Sequence, residues 1–244
     1  MKEFIRTLKQ VHLASGSEML GYLIITVAGG IFGIILTLCI LFFAGNEDGY
    51  GQIGAMLALM LGYIFCGLAG SLTMANDFNL AIAMGKTRKH FILAKYLLIA
   101  GNMLMTLVVA LLIGLFENWI YTTIYPGIGN EFDVTGFLLK PGVILCAVFF
   151  LSMLTLLLGS ILLKYSTKAF TIIWLGWMVI CFGITRLSDA MVDGETSALK
   201  ELLQNTADFV GKFSALQISL FILVLSAAGV AAAFAMVRKQ RITV

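Results

Sequence analysis

The chain predicts an all-α integral membrane protein with six membrane-spanning helices and both ends on the cytoplasmic side, and three observations carry that prediction. Of 244 residues, 60% are hydrophobic and only 12% charged, with a mean hydropathy of +1.01. A soluble domain of this length lacks the interior volume to bury so many apolar side chains. The apolar residues are gathered into six runs, each near the about 20 helical residues that a hydrocarbon core requires. The segments between the runs alternate between basic and acidic, as expected if positive charge is retained on one face of a membrane.

Residues 1–17 come first. Phe4, Ile5, Leu8 and Val11 recur at helical spacing while Lys2, Glu3, Arg6, Thr7, Lys9 and Gln10 fill the remaining positions. This predicts an amphipathic helix lying in the inner membrane interface. A cleaved signal peptide is the competing reading, disfavoured because the next apolar run is far longer than a signal core and no small-x-small site closes it. The transmembrane domain, 18–244, carries spans at 20–44, 53–75, 96–116, 141–163, 169–187 and 214–237.

Charge assigns the sides. Twelve of the 16 basic residues fall in residues 1–17, the loops 76–95 and 164–168, and the tail. Ten of the 13 acidic residues fall in 45–52, 117–140 and 188–213. Both termini are therefore expected in the cytoplasm, with Trp119, Tyr121 and Tyr125 in an outer aromatic belt and Tyr22, Tyr96 and Tyr165 in an inner one. A bacterial plasma membrane is the expected location.

The spans exclude several functions by what they lack. No Asp, Glu, Lys, Arg or His occupies the central part of any run, which argues against proton- or ion-coupled transport. The two histidines, His12 and His90, both fall at the cytoplasmic edge, so no catalytic constellation or metal site is expected and the chain is not read as an enzyme. Cys39, Cys66, Cys146 and Cys181 all lie inside apolar runs and read as small packing residues, not a disulfide framework. Ser152 and Thr155 are expected to bond between helices; Tyr63, Asn102 and Thr106 are read the same way, with cavity lining as the sharper alternative. Gly29, Gly30 and Gly33 include a GxxxG spacing, and Ala227, Ala231 and Ala235 repeat a small residue every fourth position, so the first and sixth spans can approach a neighbour closely.

The loop 76–95 is the most informative stretch. Lys86, Arg88, Lys89 and Lys95 lie within ten residues and place it in water on the cytoplasmic side. Phe78, Leu80, Ala81, Ile82 and Met84 make a helix too apolar to float free and too short to span a bilayer, so it calls for a partner protein. Gly85-Lys86-Thr87 imitates the end of a phosphate-binding loop, but that motif requires glycine where this chain has Leu80, and no strand precedes it. The basic cluster carries no nucleic-acid-binding fold, and its plainest role is a topology signal in contact with anionic lipid. On the other side, the segment 188–213 has Leu199, Leu202, Leu203, Ala207 and Val210 at amphipathic spacing, which predicts a helix on the outer interface.

Taken together, the amino-terminal interfacial helix, the six spans, the loop DFNLAIAMGKTRKHFILAKYL and the outer helical segment resemble the ABC-2 type permease subunits of ATP-binding-cassette exporters. In motif the resemblance rests on Asp77-Phe78 and on Gly85-Lys86-Thr87-Arg88-Lys89-His90-Phe91. These are similar to the pattern of small permeases of Gram-positive bacteria that handle bacitracin, lantibiotics or phenol-soluble-modulin peptides. The resemblance implies a coupling helix from Asp77 to Met84 that docks on a cytoplasmic ATPase through Phe78, Ile82 and Met84, followed by Gly85, Lys86, Thr87 and Arg88. It implies two copies of that ATPase, which bind ATP and Mg in place of any cofactor in this chain. It also implies a second permease half, identical or related, meeting this one through Gly29, Gly33, Trp174 and Trp177. The expected cargo is an amphipathic peptide or hydrophobic drug, moved outward by alternating access. A substrate-binding subunit of a vitamin or metal importer and a non-transporting membrane sensor remain alternatives.

Overall fold

The computed structural model describes residues 16–44, 49–125, 129–165, 168, 171–173, 175–176, 178, 214–238 and 240. In order, its elements are α1 (Gly16–Ala44), β1 (Tyr50–Gly51), α2 (Ile53–Leu72), α3 (Met74–Ala83), α4 (Arg88–Ile124), β2 (Asn130–Phe132), α5 (Val134–Leu138), α6 (Pro141–Leu145), a π-helical turn (Cys146–Phe150), α7 (Leu151–Tyr165) and α8 (Ala215–Val237). Five stretches are long and apolar enough to cross a membrane: Glu18–Phe43, Ile53–Leu72, Arg88–Ile124, Pro141–Tyr165 and Leu216–Val237. The chain is thus a helical, multi-pass membrane protein. Of the span expected at 169–187, only residues 171–173, 175–176 and 178 are described, and they are helical. The expected interfacial helix with Phe4, Ile5, Leu8 and Val11, the outer segment 188–213, and Trp174 and Trp177 lie outside the described residues.

The third span differs most from expectation. It was placed at 96–116, yet α4 runs for 37 residues, about 55 Å at 1.5 Å per residue, against a hydrocarbon core of about 30 Å. Both of its flanks, read as loop, are helix. Thr87 caps its start by accepting from the His90 backbone N–H at 3.4 Å, and no glycine or proline intervenes between Gly114 and Pro126 to stop it. Past the apolar run, Thr122 and Thr123 return their hydroxyls to the carbonyls of Asn118 and Trp119 at 2.9 and 2.7 Å, so these polar residues extend the helix instead of ending it.

Close packing of α1 on α2 fixes the other half of the bundle. A Cβ at Gly33 would lie 2.5 Å from the Gly54 Cα, and one at Gly29 would lie 2.9 Å from Leu61 Cδ1. The glycine pair that suggested an interface between two permease halves is therefore spent inside the chain, where it lets two backbones meet. The two positions should respond differently. Gly33→Ala must push backbone from backbone and is expected to destabilise by about 1–3 kcal/mol. Gly29→Ala meets the tip of Leu61, which can turn away, and the Leu57 carbonyl only at 3.3 Å, so it should cost less; unfolding of the two variants in detergent, followed by circular dichroism, checks the order.

Among the described residues two large apolar clusters fill the bundle, and a smaller third of Leu41, Tyr50 and Tyr121 lies at the acidic end. At the end carrying α3, the basic end, Met74, Phe78, Phe91, Met103 and Leu156 pack together. Toward the opposite, acidic end, Ala55, Ala58, Leu107, Ala110 and Leu138 form the second. Lipid-facing residues such as Ile24, Phe32, Leu112 and Phe221 stay exposed, as an apolar solvent permits. Ser152 and Thr155, expected to bridge helices, bond to the Val148 and Leu151 carbonyls of their own helical run instead.

Candidate functional site

At the basic end the chain turns back on itself through a helical elbow. Thr73, between α2 and α3, keeps αR backbone angles, and its hydroxyl donates to Ala69 O at 2.9 Å. Gly85 ends the elbow with φ +72. Its N–H reaches Ile82 O at 2.9 Å while Lys86 N–H reaches Ala81 O at 3.0 Å, the paired bonds of a Schellman cap that a left-handed glycine makes inexpensive.

The elbow has an inner and an outer face. Inward, Met74, Phe78 and Ala81 are buried, and Phe78 meets Phe91 edge-on with centroids 5.6 Å apart. Met74 presses on α7, where a Cβ at Gly159 would lie 3.0 Å from its own Cβ. Outward, Leu80 is 47% and Met84 39% exposed, with Thr87 and Lys89 beside them also exposed and Ile82 half-buried. Phe78 was expected to be an anchor for a partner. The structure spends its ring on the chain's own core, because Phe91 and Leu156 offer it an apolar pocket, and Leu80 takes its place on the surface.

A charged network welds this elbow to the spans. Lys95, expected in water, is only 3% exposed; its ammonium pairs with Asp77 and donates to Thr73 Oγ1 at 3.2 Å. Glu18, at the start of α1, accepts from the Tyr22 hydroxyl at 3.3 Å, so Tyr22 is buried and not part of an interfacial belt. Three helices, α1, α3 and α4, contribute to one cluster of two carboxylates and one ammonium, with the Thr73 hydroxyl beside it. Sequence reasoning missed it because Lys95 was grouped with its basic neighbours. The available signal was its apolar surroundings, Phe91-Ile92-Leu93-Ala94 before and Tyr96-Leu97-Leu98 after, which draw a lysine toward a fixed counter-ion.

Above this cluster a small crevice of about 10 Å³, room for about one water molecule, lies between α1 and α4; Met19, Leu23, Met105 and Val109 form its apolar wall and Tyr22, Thr26, Asn102 and Thr106 its polar part. Tyr63 does not join them. It packs between the two apolar clusters, and its hydroxyl is buried without a hydrogen-bond partner among the described residues. The three polar candidates therefore do not converge on one cavity.

The acidic end is locked more tightly. Glu117, expected in a loop, is fully buried. Its carboxylate accepts from the N–H groups of Gly54 and Ala55 at 2.9 and 3.0 Å and from the Tyr121 hydroxyl at 2.8 Å. It thus caps the N-terminus of α2, where unpaired donors and the helix dipole favour an anion. Tyr121, expected in an aromatic belt, is buried by this bond, whereas Trp119 is 61% exposed. Gln52 adds a second tie, donating to Thr135 Oγ1 at 3.2 Å and accepting from the Thr135 N–H at 2.9 Å. Asp133 caps α5, and the Thr135 hydroxyl and Gly136 N–H that it accepts hold its carboxyl below the usual range. Tyr50–Gly51 and Asn130–Phe132 pair as short parallel strands, completing the closure of this end.

The two ends therefore differ in kind: one is a sealed, neutral-to-acidic cap of paired side chains, the other an elbow with an apolar, partly basic outer face. No family model, curated protein or solved structure matches the chain.

Proposed function

We propose that this chain is the membrane-spanning permease subunit of an ATP-driven exporter of the ABC-2 type, with its basic end in the cytoplasm and a sixth span at 169–187. The observation that carries this reading is the elbow: a ten-residue helix fixed to α4 and α7 by Phe78, Met74 and the Lys95–Asp77 pair, yet exposing Leu80 and Met84. A helix built this way accepts force on its outer face and passes it to two spans. Its exposed pair suits a shallow apolar groove on a partner, the kind of anchor that dominates small interfaces.

In this reading, ATP binding closes two partner ATPase subunits, the elbows move with them, and the spans tilt about their locked acidic ends. The energy comes from the different affinity of nucleotide for the two states, not from chemistry in this chain. The cargo in this reading is an amphipathic peptide or a hydrophobic drug, the class suited to spans lined by Leu, Ile, Phe and Met with few hydroxyls.

Tagged chain isolated from native membranes tests the reading. It is expected to bring down an ATP-binding-cassette ATPase, identified by mass spectrometry, and Leu80→Asp and Met84→Asp are expected to lose it at unchanged expression. Phe78→Asp should instead lower the amount of folded chain. Full recovery of the ATPase with the double variant Leu80→Asp/Met84→Asp would exclude the elbow as the docking site; isolation with no such ATPase would exclude the exporter reading.

A further inference from the structure

The basic end carries a set of cations that overlaps the flank of the elbow and extends beyond it. Lys86, Arg88 and Lys89 open α4, Lys164 closes α7 and Arg238 follows α8. Two bonds gather these three helix ends: Arg88 donates from Nη1 to Arg238 O, and Gln240 donates from Nε2 to Leu163 O at 3.3 Å. Among the described residues none of the five cations has a carboxylate partner; the one salt bridge there joins Lys95 to Asp77. Their placement on α4 is also electrostatically uncompensated. The first turn of that helix contains no acidic residue, so Arg88 and Lys89 sit at the positive end of the helix dipole. An anion there relieves both the mutual repulsion of the cations and their clash with the dipole.

What lies beneath the cations identifies the anion. Lys89 stands one turn from Leu93, two from Leu97 and about four from Leu104 on the same face of α4; these three leucines are 41%, 42% and 46% exposed. Tyr165 stands about two turns from Leu158 and three from Leu154 on one face of α7, and the Lys164 ammonium lies over its ring at 4.8 Å. Tyr165 itself is 54% exposed, as an aromatic side chain at a membrane interface would be. Lys89 thus tops an exposed apolar stripe on α4, and Lys164 is held over the interfacial Tyr165 at the end of a second one on α7. A soluble anion matches the charges but leaves the stripes unexplained; a molecule with an anionic head and acyl tails matches both.

We propose that the ends of α4, α7 and α8 form a binding surface for anionic phospholipid, with Lys86, Arg88, Lys89, Lys164 and Arg238 facing the phosphate-bearing head groups and the leucine stripes facing the tails. The surface shares Lys86, Arg88 and Lys89 with the flank of the elbow but uses neither Leu80 nor Met84, so lipid retention and ATPase recovery can fail separately.

Native mass spectrometry of the full chain released from neutral detergent tests the proposal, with phosphatidylglycerol or phosphatidylcholine as the added lipid. The chain is expected to retain phosphatidylglycerol preferentially. Lys89→Gln/Lys164→Gln changes two exposed side chains whose ammonium groups make no hydrogen bond among the described residues, and should weaken that retention about tenfold or more. Lys140→Gln, at the acidic end, should leave it unchanged. Equal retention of the two lipids, or the same phosphatidylglycerol affinity in the double variant as in the Lys140→Gln control, would overturn the proposal. Displacement of phosphatidylglycerol by millimolar inorganic phosphate would also overturn it, by showing that the surface reads phosphate without the lipid.

Discussion

Replacing Lys95 by methionine is expected to destabilise the chain by about 3–5 kcal/mol, the usual cost of removing one partner from a buried ion pair. The methionine fits the space, so the loss is electrostatic. With Lys95 3% and Asp77 12% exposed, the aspartate is left with no cation and too little water, and Glu18, nearby on α1, adds a second carboxylate. A double-mutant cycle separates this from lost packing. Asp77→Asn in the Lys95→Met background removes the stranded charge and is expected to recover a large part of the stability, so the two substitutions should be strongly non-additive. Unfolding in detergent micelles provides the measurement. Additive losses would show that the pair does not hold the elbow to α4.

Glu117→Ala is the second large effect, expected at about 2–4 kcal/mol, because two buried backbone donors lose their acceptor and the Tyr121 hydroxyl keeps only its longer bond to Ile34 O at 3.5 Å. The Gly54 and Ala55 N–H groups and the Tyr121 hydroxyl all point at this carboxylate, and alanine offers them nothing. Glu117→Gln keeps one carbonyl oxygen but aims an NH2 group at a helix N-terminus, so it should recover only part of the loss. The neighbouring surface residue Thr122, whose hydroxyl bonds only to its own helix, supplies the comparison: Thr122→Ala should change unfolding little. Retained stability in Glu117→Ala would mean that the acidic end is held by the Gln52 and Asp133 bonds without it.

The membrane-spanning character and most span positions were legible in the sequence, because a run of about 20 apolar residues has few stable alternatives to a spanning helix. The capping glycine of the elbow was legible too: Gly85 follows an apolar helix and precedes a basic run, and it has the positive φ that such a stop calls for. Other residues resisted reading. Phe78 and Leu80 are both large apolar residues on one short helix, and only the approach of Phe91 decides which of them is buried. Gly29 and Gly33 announced close packing but not with what; the partner proved to be α2. Lys95 and Glu117 were assigned to loops by their charge, because hydropathy averages a residue with its neighbours and takes no account of a counter-ion 18 residues away or of a helix end 62 or 63 residues away.

The sequence by itself determined the solvent of this protein and where most of its spanning helices lie, since transfer free energy depends on composition and length within one local segment. Tertiary structure alone decided which polar side chains are satisfied and which apolar ones are offered outward. Those outcomes depend on distances between segments far apart in the chain, and a shift of one helical position exchanges a buried side chain for an exposed one.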